Sequence, residues 1–575
     1  RDTSPRAHSR RRSEAPPRPG IGIETPITMA SSTIASAARL GVASRASAPR
    51  SRRARLTSTR PAHRSAPRND NLVTRASEAI QDTETTAADE ALPETRLADD
   101  EIPACVGTAS KEEFMRWMTV NQALPAQKLE LVVDLPEGRG LVATDEVRRG
   151  ESLLDIPETT LITVERAIAE SKLGPAHANL QEWSVLAAFL AEQALAIDAG
   201  EDGGRFATYV KALPRRTGGV LDWPEDDIKA LLAGSPSQRA AMERQASVDA
   251  AIEEIRADFP ALTPGALRWA FDVLFSRLIR LPNRGGELAL VPWADMLNHR
   301  PGCNAYIDDT GGAVCLSPDR RYKVGEQVYA SYGSRPSSEL LISYGFAPSV
   351  GENPDDEFEV VLGIDPDDRY ADAKADALKR IGLGPVEAFP LKLNGYPKQL
   401  LQYASFALCD PKDPKELPEL ATRALIGNAM VGGLLGAITK GKRGTQGEVL
   451  GGVGGEIAVR ELLADVTSEA LSKYPNTLEK DREIAASDPT KPAGKQAKKQ
   501  KSFLAELRGP SEGELAKFPD ADAWVGVFPE PVRQTQRSVA AARVRVSERR
   551  ILAKTDSEVR LQLRKLKASQ MTGGN

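Results

Sequence analysis

The feature that most restricts how this chain can fold is an interruption. A Gly-punctuated run, LELVVDLPEGRGLVATDEVRRGESLLDIP, gives way to a helical block over residues 164–280 before β-like sequence resumes at LALVPWADMLNH. Short apolar runs separated by Gly138, Gly140 and Gly150 read as small antiparallel strands. Inside the block, Trp183, Leu186, Ala187 and Leu190 make one helical stripe, and Trp269, Val273 and Leu274 make another. A helical insertion therefore interrupts a β unit that continues to about Gly345. Upstream, Phe114, Trp117 and Met118 fall on one helical face, which places the start of folded sequence near Lys111.

After Pro348 the pattern turns helical again, through AKADALKRIGL, PKQLLQYASFAL and a charged helix from about Arg537 to Leu566. This reads as a second domain. Within it, the Gly-rich stretch Gly432 to Gly455 and the Lys-rich stretch Lys491 to Lys501 read as loops. The expected layout is an upstream extension (1–28), a leader (29–76), an acidic disordered linker (77–110), a β unit with its insertion (111–348, insertion 164–285) and a helical domain (349–575).

Charge separates the ends of the chain. Residues 1–75 carry 16 Arg, no Lys and four acids, a net of +12, which leaves −16 for the remainder. From Met29 the sequence is rich in Ala, Ser and Arg, with no acid before Asp70 and no aromatic residue before Phe114. That composition matches an organellar transit peptide and cannot offset the entropy of ordering itself. An Arg-rich nucleic-acid-binding tail fits less well, because no stacking aromatics are interleaved. Four Cys without a C-x-x-C pair exclude a disulfide scaffold and a structural zinc cluster. No apolar run reaches membrane-spanning length.

Three segments carry candidate chemistry. Gly138, Gly140 and Ala143 satisfy a dinucleotide-type glycine pattern, but Gly150 and the LLDIP run preclude the helix that such a site requires. A loop whose backbone lies against a ligand and a plain tight turn both remain open. In VPWADMLNHRPGCNA, Asp295, Asn298 and His299 fall within five residues. No nucleophile and no third metal ligand accompany them, so His299 reads as structurally bonded and Asn298 as a donor and acceptor for an amino-acid-like ligand. In EQVYASYGSRPSSELLISYGF, Tyr329, Tyr332 and Tyr344 lie within 16 residues of a chain that has ten Tyr.

Taken in order, these segments resemble the SET-domain methyltransferases, and within them the branch of ribulose bisphosphate carboxylase/oxygenase large-subunit lysine methyltransferase. The matching pattern is Glu137 to Ala143, the pair Ser276 and Arg277, Asp295 to His299, and Tyr332 followed by Glu339 to Phe346. The resemblance implies an α+β fold of small β-sheets around a knot-like threading, with a helical insert and a mainly helical C-terminal substrate-binding domain. It implies S-adenosylmethionine as cofactor, met by Glu137, Gly138, Arg139, Asn298 and His299 and enclosed by Tyr344 and Phe346. Asp295 and the carbonyls of Ser276 and Arg277 would surround the target amine, and the Tyr332 hydroxyl would lie at the transferring methyl. Actin-histidine methyltransferases of the same branch place Asn and Trp where this chain has Ile279 and Ala294. An apolar Ile suits an aliphatic lysine stem. The resemblance thus implies a monomeric protein-lysine methyltransferase of the chloroplast stroma, acting on a carboxylase large subunit or an aldolase, with no nucleic-acid or membrane partner.

Overall fold

The computed structural model describes residues 97–572 apart from 99, 122–127, 136, 310–311, 427–446 and 488–529. The leader, the upstream extension, most of the acidic linker and the Lys-rich stretch lie outside the described residues.

Folded structure starts earlier than the expected linker boundary at 110. Leu97, Ile102, Cys105, Val106 and Ala109 are buried in the same core as Phe114 and Met118. The N–H groups of Ala104 and Cys105 both donate to the Asp198 carboxylate, each at 2.7 Å. Three consecutive acids, Asp99 to Glu101, interrupt this stretch, yet its spaced apolar side chains are enough to dock it. Helix α1 (Lys111–Val120) then opens with a reciprocal capping box between Ser110 and Glu113.

Strands β1 (Leu129–Leu135), β2 (Gly138–Ala143), β3 (Ile156–Pro157) and β4 (Ile162–Thr163) precede the insertion. The insertion supplies α2 (Val164–Glu170), α3 (Glu182–Asp198), α4 (Ala207–Ala212), α5 (Glu225–Leu231), α6 (Pro236–Asp258) and α7 (Pro264–Arg277). The chain returns through β5 (Ile279–Leu281), β6 (Glu287–Leu290), β7 (Asn298–His299), β8 (Tyr306–Asp308), β9 (Ala313–Ser317) and β10 (Gln327–Ala330). Three small sheets result, ordered β1-β2-β10-β7, β3-β9-β8 and β4-β6-β5, each joining strands from before and after the insertion.

The first sheet positions the site. Strand β10 is antiparallel to β2, pairing Gln327 with Val142 and Val328 with Leu141. On its other edge it runs parallel to β7, pairing Tyr329 with Asn298 and Ala330 with His299.

The β reading up to Gly345 needs correction, because Ser337–Tyr344 is a helix, α8. Pro336 stands at its N-cap, Leu340 and Leu341 face the core, and Gly345 ends it at φ +79°.

Beyond it come β11 (Glu357–Gly363), α9 (Ala371–Arg380), β12 (Val386–Lys392), α10 (Lys398–Leu408), α11 (Leu417–Leu425), α12 (Gly452–Ser472), α13 (Leu478–Ala485) and α14 (Glu530–Thr572). Strands β11 and β12, joined through α9, add a two-stranded antiparallel sheet to this mainly helical part. Its first strand buries Phe358, Val360 and Leu362 alternately, a period-two signal short enough to be lost between helices. The Gly-rich stretch also differs at its end, where Gly452–Gly455 form the first turn of α12. One hydrophobic core gathers residues between Leu97 and Ala330, and a second gathers residues between Phe358 and Val559. Helix α14 touches both parts, packing Ala541 and Val544 with Trp223 and Leu341, and Ile551 and Leu552 into the second core. Among the described residues no helix is long and apolar enough to cross a membrane.

Candidate active site

The β2, β7 and β10 strands bring the three chemistry-bearing segments together. Asn298 Nδ2 donates to the Arg139 carbonyl at 2.9 Å and to Gln327 Oε1 at 2.7 Å. Gln327 Nε2 in turn donates to Glu137 Oε2 at 3.1 Å and to the Tyr329 hydroxyl at 2.9 Å. A β-carbon on Gly140 would lie 2.6 Å from Gln327 Oε1 and 2.7 Å from Asn298 Nδ2. Glycine is therefore needed for β2 to approach these amides. Gly138, by contrast, stands at φ +92° with open space where a β-carbon would be. Sequence reasoning did not single out Gln327, since a polar residue in a strand carries no signal of its partner.

The second feature is aromatic. Tyr332 stacks on Tyr344 with ring centroids 4.8 Å apart and lies 5.1 Å from His299, while Phe346 stands 6.3 Å from both His299 and Tyr344. The Tyr332 N–H donates to His299 Nδ1 at 3.1 Å, and the Tyr332 hydroxyl donates to the Leu297 carbonyl at 2.7 Å. An accepting Nδ1 leaves the ring proton on Nε2. Burial, assisted by the Arg335 charge and opposed by a backbone hydrogen bond at Ala330, pushes His299 down to about 4. His299 is thus neutral at physiological pH and is no proton donor there. Burial raises the Tyr332 phenol well above its ordinary range, so it remains a neutral dipole. Arg335 donates to the Tyr332 carbonyl at 2.7 Å, pairs with Glu339 and lies over the Tyr344 ring.

The third feature is a buried polar cluster around Asp295. Arg277 Nη1 donates to Asp295 Oδ2 at 3.0 Å and to the Asp295 carbonyl at 2.7 Å. The Tyr209 hydroxyl, from α4, donates to the same Oδ2 at 2.9 Å. The Asp295 side chain is fully buried, and its other oxygen, Oδ1, has no hydrogen-bond partner. Arg139 reaches the same cluster from β2 and donates to the Ala212 carbonyl at 2.8 Å. Burial first, and then the Arg277 charge, push the Arg139 guanidinium down to about 9. Just before Asp295, the buried Trp293 stands at φ +77°, a conformation costly for a bulky residue. Its ring packs 6.4 Å from Phe114, which holds the turn in place.

Ser276 and Arg277 form the last turn of α7, and Ile279 follows half-buried in β5, paired with Ala289. The structure thus gathers Glu137, Gly138, Arg139, Asn298 and His299 along one sheet, and Arg277 and Asp295 beside it. It adds Tyr209, whose place in the insertion gave no hint of contact with Asp295.

Residues 138–333 match the family model described as SET domain, and residues 365–552 match the one described as Rubisco LSMT substrate-binding. The chloroplastic [fructose-bisphosphate aldolase]-lysine N-methyltransferase of Arabidopsis thaliana is 25% identical over 395 residues, 64% of this chain and 76% of that protein. The chloroplastic ribulose-1,5 bisphosphate carboxylase/oxygenase large subunit N-methyltransferase of Nicotiana tabacum is 24% identical over 410 residues, 67% of this chain and 76% of that protein. Human (Homo sapiens) actin-histidine N-methyltransferase is 25% identical over 390 residues, 65% of this chain and 62% of that protein. Among solved structures, the SET domain of LSMT bound to lysine and AdoHcy matches with a TM-score of 0.57 at 21% identity, covering 79% of this chain and 92% of that one. That likeness is one of fold.

Proposed function

We infer that this chain, which joins a SET domain to a Rubisco LSMT substrate-binding domain, is an S-adenosylmethionine-dependent protein methyltransferase, and we propose a lysine side-chain amine as its acceptor. The observation that carries the reading is the β7–β10 pairing. It places Asn298 and His299 beside the strand that ends at Ala330, and two residues further on the Tyr332 N–H donates to His299 Nδ1.

The residues fit the cofactor. Gly138 leaves open space along its backbone, and His299 offers a neutral ring beside Phe346, which in turn meets Tyr344. Glu137, Gly138, Arg139, Asn298 and His299 would hold S-adenosylmethionine, with Tyr344 and Phe346 closing its pocket. When bound, it supplies a methyl group on a positively charged sulfur. The protein's own task is to align an amine with that methyl and exclude water. Tyr332 contributes a fixed phenol whose oxygen can meet polarised methyl hydrogens, contacts that are weak individually. Alignment supplies more, several kcal/mol by general estimates. Burial of the acceptor disfavours its charged form and so releases the lone pair that attacks.

For the acceptor, the half-buried Ile279 presents no hydrogen-bonding group to an imidazole. The aldolase-lysine and carboxylase methyltransferase relatives support a plastid protein substrate, with residues 349–575 as its docking domain. The leader composition of residues 29–76 supports import into an organelle, and the chloroplastic relatives support the stroma as the destination. Incubating the full chain with methyl-labelled S-adenosylmethionine and purified carboxylase, aldolase and actin tests the reading directly. Label on lysine of a plastid protein is the expected result. Label on an actin histidine would replace the lysine assignment, and cofactor binding without label on any protein of a stromal extract would make the chain a silent binding module.

A further inference from the structure

The Asp295 carboxylate is held asymmetrically. Two donors from different helices, the Arg277 guanidinium and the Tyr209 hydroxyl, converge on Oδ2, while Oδ1 is buried with no hydrogen-bond partner. A carboxylate oxygen enclosed without a donor is costly unless a ligand completes it. The geometry explains which oxygen is left. Arg277 also grips the Asp295 carbonyl at 2.7 Å, which fixes the carboxylate relative to its own backbone. Tyr209 then removes the remaining rotational freedom. The Tyr209 ring is itself clamped, 6.0 Å from Trp117 and 6.5 Å from Phe114, so its hydroxyl cannot swing away.

We propose that Tyr209 is a positioning residue which, with Arg277, saturates Asp295 Oδ2 and thereby presents Oδ1 as the acceptor for an N–H of the target amine. The proposal rests on the lysine reading above and sharpens it. Lysine, monomethyl-lysine and protonated dimethyl-lysine all keep an N–H to offer Oδ1, whereas trimethyl-lysine has none. The pocket should therefore discriminate by remaining N–H groups, holding acceptors that can still be methylated and releasing the fully methylated product. Tyr209 belongs to the insertion, so this selectivity is built by an element outside the β unit.

The test is calorimetric binding of free L-lysine and its N-ε-methylated forms to the full chain saturated with S-adenosylhomocysteine. Wild type is expected to bind L-lysine at least about tenfold more tightly than trimethyl-lysine, the effect of one charge-assisted hydrogen bond. Tyr209→Phe keeps the ring packing and removes only the hydroxyl. It should bind S-adenosylhomocysteine as wild type does while losing most of the discrimination. Unchanged discrimination in Tyr209→Phe, with L-lysine still bound, overturns the proposal and leaves the lysine reading standing. Failure of wild type to bind any of the lysine forms removes the lysine reading and the proposal together. A purely structural role for Tyr209 would weaken all four ligands equally, which also counts against the proposal.

Discussion

A β-carbon on Gly345 would lie 2.3 Å from the carbonyl carbon of Gly218. The turn between Tyr344 and Phe346 is therefore pressed, backbone to backbone, against the loop that precedes α5. That loop is anchored in its turn, since the Thr217 N–H donates to Asp272 of α7 at 3.1 Å. The insertion thus sets the height at which Tyr344 and Phe346 stand over His299.

Gly345→Ala should consequently damage the site through packing alone. It adds a clash with backbone that has no flexible end to yield, at a left-handed φ of +79°. A loss of about 2 kcal/mol or more is expected, with weakened S-adenosylhomocysteine binding. Thermal unfolding and calorimetry check both, and a wild-type cofactor affinity would show that the aromatic pair is not held by this contact.

Tyr332→Phe separates chemistry from packing. The stack on Tyr344 survives, and only the hydroxyl bonded to the Leu297 carbonyl is lost. Stability should fall by about 1 kcal/mol, and cofactor affinity should hold. Turnover and kcat/KM should drop together by at least about 100-fold, as they do when an interaction is made only in the transition state. Near-normal turnover would remove Tyr332 from the mechanism.

His299 predicts an acid-side loss of stability. Its folded value of about 4 lies below the ordinary 6.5, so between these values the unfolded chain binds more protons than the native one. The contribution is complete above about pH 6.5 and disappears as pH falls through 4. Replacing His299 with Gln should flatten the fall of the unfolding midpoint between pH 6.5 and 4. Identical slopes for the two proteins would show that the imidazole titrates as if exposed.

Glu548 predicts the opposite trend at neutral pH. It is buried where α14 meets the start of α6, accepting from Ser235 at 2.7 Å, Ser237 at 3.4 Å and Tyr474 at 2.8 Å. Burial raises it to about 7 from 4.5. Its contribution is complete below 4.5 and is lost as pH rises through 7, a change of up to about 3 kcal/mol. Glu548→Gln keeps an acceptor without the charge and should gain stability over wild type from pH 6 to 8. A gap between the two proteins that stays constant over this range would contradict the assignment.

The segments themselves were legible in the chain. Glu137 to Ala143, Asp295 to His299 and Tyr332 to Phe346 are local runs, and local runs carry their spacing in the sequence. The helical insertion was legible for the same reason, because apolar stripes of α3 and α7 repeat at short range. What short range cannot carry is which residues meet. Tyr209 and Asp295 are separated by 86 positions, and Asn298 reaches back 159 positions to Arg139. Neither contact leaves a periodic trace. The docking of Leu97 to Ala109 and the β11–β12 sheet were hidden because acidic or helical neighbours outweighed a few spaced apolar residues. Sequence by itself determined most of the elements, the order of the chemistry-bearing segments and the side chains available for chemistry, though not the helix Ser337–Tyr344 or strands β11 and β12. Only the tertiary structure decided that Asp295 has one oxygen doubly held and the other bare, because that depends on an insertion helix and a strand turn folding onto the same point.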